Sequence, residues 1–183
     1  MQAESPDAKT RISPLKPEQV SEEMRKTYLE IEKALGVLPA LFTTMAHLPG
    51  AVGPVVNTYA EVVMKSPIEE RIQQIAMIRV SVKNDAPYCL HTHMELGLRA
   101  GLTHKQIDAL RKDPSSGEFT EKEQLVIEYA ERLTEGGSAV SDDLFSRLRE
   151  HFNEPEIVSL TMNICFMAFL TRYTEVFKLH HDH

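Results

Sequence analysis

Between Asn84 and Thr103 the chain reads NDAPYCLHTHMELGLRAGLT, which sets one thiol, Cys89, beside two imidazoles, His91 and His93. On a helix, positions i and i+4 lie one turn apart on one face, so Cys89 and His93 can meet while His91 points elsewhere. That is the geometry of a thiol and its base. An imidazole can take the thiol proton or stabilise the thiolate, and the free backbone N–H groups of a helix N-terminus favour the same anion. Pro87 suits a first helical position and puts Cys89 in the first turn, so a reactive cysteine is one reading. Two others stand beside it. Cysteine is among the most commonly buried residues, and an i,i+4 histidine can simply satisfy a local hydrogen bond. A zinc centre needs about four ligands, whereas Cys89 and His93 supply two, and the spacing of His104, His180, His181 and His183 does not require them to complete the set. Cys165 either packs in an apolar helix or serves as a resolving thiol for Cys89, which depends on a distance that sequence does not give.

The surrounding pattern predicts helices that would hold these groups. PEQVSEEMRKTYLEIEKALG, opened by Pro17 and closed by Gly36, carries Val20, Met24, Tyr28, Ile31 and Leu35 at three- and four-residue steps. Pro39, Pro49 and Pro67 punctuate two further helices, 40–48 and 51–65. Pro67 then opens a helix with Glu69 and Glu70 in its first turn and Ile72, Ile75, Met77, Ile78 and Val82 for the core. Asn84 or Asp85 is expected to cap the helix that starts near Pro87 and ends at Gly101. Thr103 with Gln106, and Thr120 with Glu123, have capping-box spacing. A further helix starts at Ser141, and a last long one spans about 155–178, apolar over most of its circumference. The fold class is therefore all-α, with about eight or nine helices. An arm over residues 1–16 precedes a single helical domain over 17–179, and 180–183 form a tail.

Composition narrows the function classes. The 183 residues are 42% hydrophobic and 26% charged, ordinary for a globular chain. A formal charge of -7, with no basic stripe, argues against a nucleic-acid partner. No uninterrupted apolar run reaches membrane-spanning length, and MQAESPDAKTR lacks a signal-like apolar region, so no membrane partner and a cytoplasmic location are the expectation. Two cysteines are too few for a disulfide scaffold. Apolar area beyond one face of the final helix calls for a second cover and favours a homo-oligomer.

The segment IQQIAMIRVSVKNDAPYCLHTHMELGLRAGLT, residues 72–103, resembles the core of the AhpD-like and carboxymuconolactone decarboxylase superfamily. ISPLKPEQVSEEMRKTYLEIEKALGVLPALFTTMAHLPG is similar to the N-terminal extension of its longer members, and FTEKEQLVIEYAERLT to a later helix. The resemblance implies an all-α fold assembled as trimers or hexamers, with sites near subunit contacts. Members with a full CxxC motif are thiol oxidoreductases acting on hydroperoxides, with a glutamate and a histidine moving protons; members without cysteines are decarboxylases of small lactone acids. Laid on this chain, the second cysteine is Cys89 and the histidine His93, while Ala86 takes the first cysteine's place and Gln74 the glutamate's. Dithiol exchange has no second sulfur at Ala86, and Gln74 can hydrogen-bond but cannot carry a proton.

The reading that follows is a cofactor-free and metal-free enzyme of the carboxymuconolactone decarboxylase type, acting on a small organic acid, lactone or carbonyl compound. His93 would be the general acid or base, Cys89 its polar or nucleophilic partner, and Gln74 an orienting group. Arg172 would hold a carboxylate or form a rim salt bridge. Tyr88 and His91 complete the substrate-binding candidates, His91 at the surface or an interface. A single-cysteine peroxidase or thiol oxidoreductase is the first alternative and a non-catalytic oligomeric binding protein the second.

Overall fold

A computed structural model describes residues 10–180. Residues 1–9 of the expected arm and 181–183 of the expected tail lie outside the described residues. Nine α-helices and no strand occur among the described residues: α1 Glu22–Leu35, α2 Ala40–Met45, α3 Pro49–Tyr59, α4 Glu70–Lys83, α5 Pro87–Arg99, α6 His104–Lys112, α7 Glu121–Glu135, α8 Asp142–His151 and α9 Glu154–Phe177. By packing the described residues fall into two units, one of residues 61–172 and one of residues 10–60 with 173–180.

In the smaller unit α3 packs on α1 and α2. The described part of the arm is tied down by backbone bonds, Arg11 N–H to the Phe177 carbonyl at 2.9 Å and Leu15 N–H to the Thr43 carbonyl at 3.0 Å. The Tyr28 hydroxyl donates to the Leu15 carbonyl at 3.2 Å. The start of α1 differs from the expectation. Pro17–Gln19 form only a 3₁₀ turn, and the α-helix begins at Glu22 because the Ser21 hydroxyl accepts from Met24 N–H. A side-chain cap satisfies an orphan donor, which a proline at N1 cannot do. Gly36 closes α1 at φ +77°, as its C-terminal position requires.

The larger unit is built around α4, whose residues Ile72 to Ser81 are all buried, and which packs against α5, α6 and α7. α4, rather than α9, is thus the helix buried on every side; α9 keeps a row of exposed apolar side chains. It also starts at Glu70, a turn later than Pro67 suggests. Polar side chains inside α4 survive burial because each finds a partner. Gln73 Nε2 donates to the Ile68 carbonyl at 2.8 Å, and the Ser81 hydroxyl to the Met77 carbonyl at 2.7 Å. Arg79 donates to the Leu110 carbonyl and to Glu131 of α7.

Both capping boxes form, at Thr103 with Gln106 and at Thr120 with Glu123. Glu123 does more than cap: its Oε1 takes the Arg71 guanidinium at 2.7 Å, and Arg71 also donates to the Gly101 carbonyl at 2.6 Å. This ties the start of α4 to the start of α7 and to the turn after α5. Burial pushes the Glu123 carboxyl up, but the bonds from Thr120 and Arg71 outweigh it and hold the group below its ordinary value.

α9 is long and apolar enough, by length and composition, to cross a membrane, and half of its apolar window is packed inside the protein. A core helix gives the same signature.

Candidate active site on α4 and α5

Pro87 does open α5, but neither Asn84 nor Asp85 caps it. Ala86 occupies the N-cap position and makes no side-chain bond there. Asn84 instead donates through Nδ2 to the Thr171 hydroxyl on α9 at 2.8 Å, and Asp85 turns the chain at φ +49°. Cys89 sits in the first turn of an uncapped helix, where backbone N–H groups have no intrahelical acceptor. Neither Cys89 nor Cys165 is in a disulfide; Cys89 is buried and Cys165 exposed.

Alternation along α5 sorts the three chemical residues. Cys89 and His93, one turn apart, are both only 6% exposed and face the body of the unit. His91, between them, is exposed and lies 3.5 Å from Glu95. Tyr88 is buried with Cys89, and Arg172 is exposed on α9, with no ion pair or hydrogen bond to the other candidates among the described residues. The structure therefore brings Gln74, Cys89 and His93 to the packed side of α5 and leaves His91 and Arg172 on the surface.

The decisive contact is between helices. Gln74 Oε1 of α4 lies 2.8 Å from His93 Nδ1. An amide oxygen only accepts, so the ring proton sits on Nδ1 and Nε2 keeps its lone pair. Burial pushes the His93 pKa down to about 4, since a low-dielectric setting penalises the imidazolium. His93 is then a neutral base of fixed tautomer at neutral pH. A glutamate at position 74 would instead place a carboxylate there and favour the cation.

What lets α5 come so close is Gly97, one turn beyond His93 on the same face, which sequence reading passed over. A Cβ built there would lie 2.9 Å from Leu102 Cδ1, 3.2 Å from Ile78 Cδ1 and 3.8 Å from Gln74 Cβ. The available signal is a glycine inside a helical frame at a costly position, which usually marks close packing. Gly97→Val should cost about 1–3 kcal/mol by overpacking. It should also raise the His93 pKa toward its ordinary 6.5 as α5 is pushed off α4. Denaturant midpoints and an imidazole NMR titration check the two effects.

A cavity of about 320 Å³ opens elsewhere in the unit, lined by Glu121, Gln124, Glu128, Arg147, Glu150 and His151 among others, and by none of Gln74, Cys89 or His93. It is acidic, and its Arg147 is engaged by Glu128 at 2.9 Å. Chemistry, not cavity size, singles out the α4–α5 pair. No group of three or more His, Cys, Asp or Glu side chains converges to hold a metal ion among the described residues.

Comparison with known proteins agrees with this architecture. Residues 51–132, which contain α4, α5, α6 and most of α7, match the carboxymuconolactone decarboxylase family. An uncharacterized Bacillus subtilis protein, YdfG, is 29% identical over 101 residues, 55% of this chain and 69% of YdfG. An uncharacterized peroxidase-related protein from Ralstonia eutropha, with an alkylhydroperoxidase AhpD core, superposes with a TM-score of 0.84 at 16% identity over 94% of this chain and 92% of that one. A protein of unknown function from Agrobacterium tumefaciens, proposed to be the antioxidant defence protein AhpD, superposes with a TM-score of 0.70 at 26% identity, over 75% of this chain and 95% of that one. Residues 51–132 thus match the carboxymuconolactone decarboxylase family, and the helical fold of the chain is that of the AhpD-like proteins.

Proposed function

We propose that the protein is a cofactor-independent enzyme of the carboxymuconolactone decarboxylase type that uses a cysteine and a neutral histidine on a small organic acid, lactone or carbonyl compound. The observation that supports this reading best is the Gln74–His93 contact at 2.8 Å. It fixes a tautomer whose free Nε2 can accept a proton from the substrate, or from Cys89 if the thiol is the nucleophile. Gln74 acts by orientation alone, because an amide cannot take the proton onward. Burial of Cys89 and His93 to 6% exposure restricts the reactant to a molecule small enough to enter by side-chain movement.

The test is a turnover assay on a panel of lactone acids, keto acids and enol lactones, followed by NMR. Removing a positioned general base costs 10²–10⁴-fold, so His93→Ala should lose about that factor while keeping its helical circular dichroism. Gln74→Leu should lose less and leave the acid limb of the pH profile no higher than in wild type, since the ring loses an acceptor in a more apolar site. A wild-type protein that turns over the panel no faster than His93→Ala overturns the assignment.

A second reading is favoured by the Agrobacterium tumefaciens structure, whose description links it with antioxidant defence. Here Cys89 thiolate attacks a hydroperoxide, giving the cysteine sulfenic acid and an alcohol as the peroxide O–O bond breaks, with the alcohol oxygen taking a proton. Mass spectrometry after tert-butyl hydroperoxide treatment separates the two. Oxidation of Cys89 that depends on His93 supports the peroxidase, and an unmodified Cys89 removes it.

A further inference from the structure

The three chemical groups on the packed side of α4 and α5 carry no fixed charge. Gln74 is an amide, its Oε1 taken by His93 Nδ1–H at 2.8 Å, and His93 Nε2 is left as a bare acceptor. Cys89 adds a buried thiol. The basic side chains of both helices are committed elsewhere. Of the lysines and arginines among the described residues only Arg79 is buried, and the Leu110 carbonyl on α6 and the Glu131 carboxylate on α7 hold it. Arg71 is bound by Glu123 at 2.7 Å and Lys83 by Glu135 at 3.0 Å, both partners on α7. Arg99 is exposed in the last turn of α5.

A carboxylate carried in beside Cys89 and His93 would give up its water for a thiol and an acceptor lone pair. It can only accept, so it has nothing to give Nε2, and a charge buried without a partner is the costly case. The uncapped start of α5 is the element that attracts an anion, through its free backbone N–H groups. Cys89 stands in that same turn. Its own thiolate, when formed, uses those groups and then repels a second negative charge. An uncharged carbonyl compound meets none of these penalties, and one that carries an N–H, an O–H or an acidic C–H has a proton to offer Nε2.

We propose that the site formed by Gln74, Cys89 and His93 admits uncharged small molecules and excludes anions, so that its substrate is a neutral lactone or carbonyl compound in which no carboxylate adjoins the reacting carbon. The exclusion follows from charge and burial alone. The substrate class rests on the reading of His93 as a base and narrows it.

Iodoacetamide and iodoacetate test the exclusion without any turnover, because they differ by an amide for a carboxylate at nearly equal size and both alkylate thiols. Peptide mass spectrometry of the folded full-length chain at pH 7.5 gives the rate of each reagent at Cys89 and, in the same sample, at the exposed Cys165. The urea-unfolded chain gives the intrinsic preference at each cysteine. At Cys89 folding should raise the iodoacetamide-to-iodoacetate rate ratio by about 10²-fold, the penalty of an unpaired buried charge, while the ratio at Cys165 should match the unfolded chain. An unchanged ratio at Cys89 overturns the proposal and leaves His93 free to act as a base on an acid. A Cys89 that neither reagent labels in the folded chain overturns both, since nothing small then reaches the site. For the substrate class, each lactone acid or keto acid is compared with its primary amide, which should react about ten-fold faster or more. An acid preferred over its amide overturns the proposal, whereas a raised labelling ratio with no turnover of either form upholds the exclusion and removes only the base reading.

Discussion

Lowering the pH from 6.5 to 4 is expected to remove about 3 kcal/mol of folding stability through His93 alone. Burial depresses the folded-state pKa of this group to about 4 against an ordinary 6.5. In that window the unfolded chain binds a proton that the folded chain refuses. The contribution is thus fully present above 6.5 and is lost as pH falls toward 4, where both states are protonated. Urea midpoints measured across the range should show a slope close to one proton for wild type and a much flatter line for His93→Gln. Glu123 has the same sign but a lower window. Its carboxyl is held below the ordinary 4.5, so its stabilising contribution is present above that value and declines only as pH falls further. The two contributions therefore separate along the pH axis. A His93→Gln protein with an unchanged slope would mean that the imidazole is hydrated and charged in the folded state.

The second large effect is expected at Glu131. Arg79 is buried at 6% exposure in the middle of α4 and is satisfied by the Leu110 carbonyl and the Glu131 carboxylate, while its Nε has no partner among the described residues. Taking the carboxylate away leaves a guanidinium in a low-dielectric site with one acceptor. Breaking such a pair from one side costs about 3–5 kcal/mol, so Glu131→Leu should lower the melting temperature by roughly 6–20 °C. Replacing both partners with apolar groups of similar volume removes the stranded charge. The double variant Arg79→Met with Glu131→Leu should then recover most of the loss, as buried pairs elsewhere do. A single variant as stable as wild type would show that water reaches Arg79.

Sequence carried the local physics and missed the distant. Thr103 with Gln106 and Thr120 with Glu123 were legible because both partners of each capping box lie three residues apart. The thiol and imidazole on one face of α5 were legible for the same reason, and so was a hydrogen-bonding, non-acidic role for Gln74. The start of α1 after Ser21 and the missing side-chain cap at Ala86 were not. At the first, a serine cap outweighs the proline signal; at the second, Asn84 spends its side chain on Thr171, 87 positions away. The contact partner of Arg79 and the close approach at Gly97 are likewise set by packing between helices. Apolar content marked α9 as a helix needing cover on more than one face, but content does not tell a helix covered by its own chain from one covered in part. The alternation of exposed and buried positions along it does.

The central claim is that Gln74 holds His93 as a neutral imidazole with its proton on Nδ1. Long-range proton–nitrogen NMR of the His93 ring at neutral pH reads this directly. The account predicts a protonated Nδ1, a bare Nε2 and no titration until pH falls to about 4, with the tautomer preference lost in Gln74→Leu. A doubly protonated ring at neutral pH, or a proton on Nε2, would contradict it.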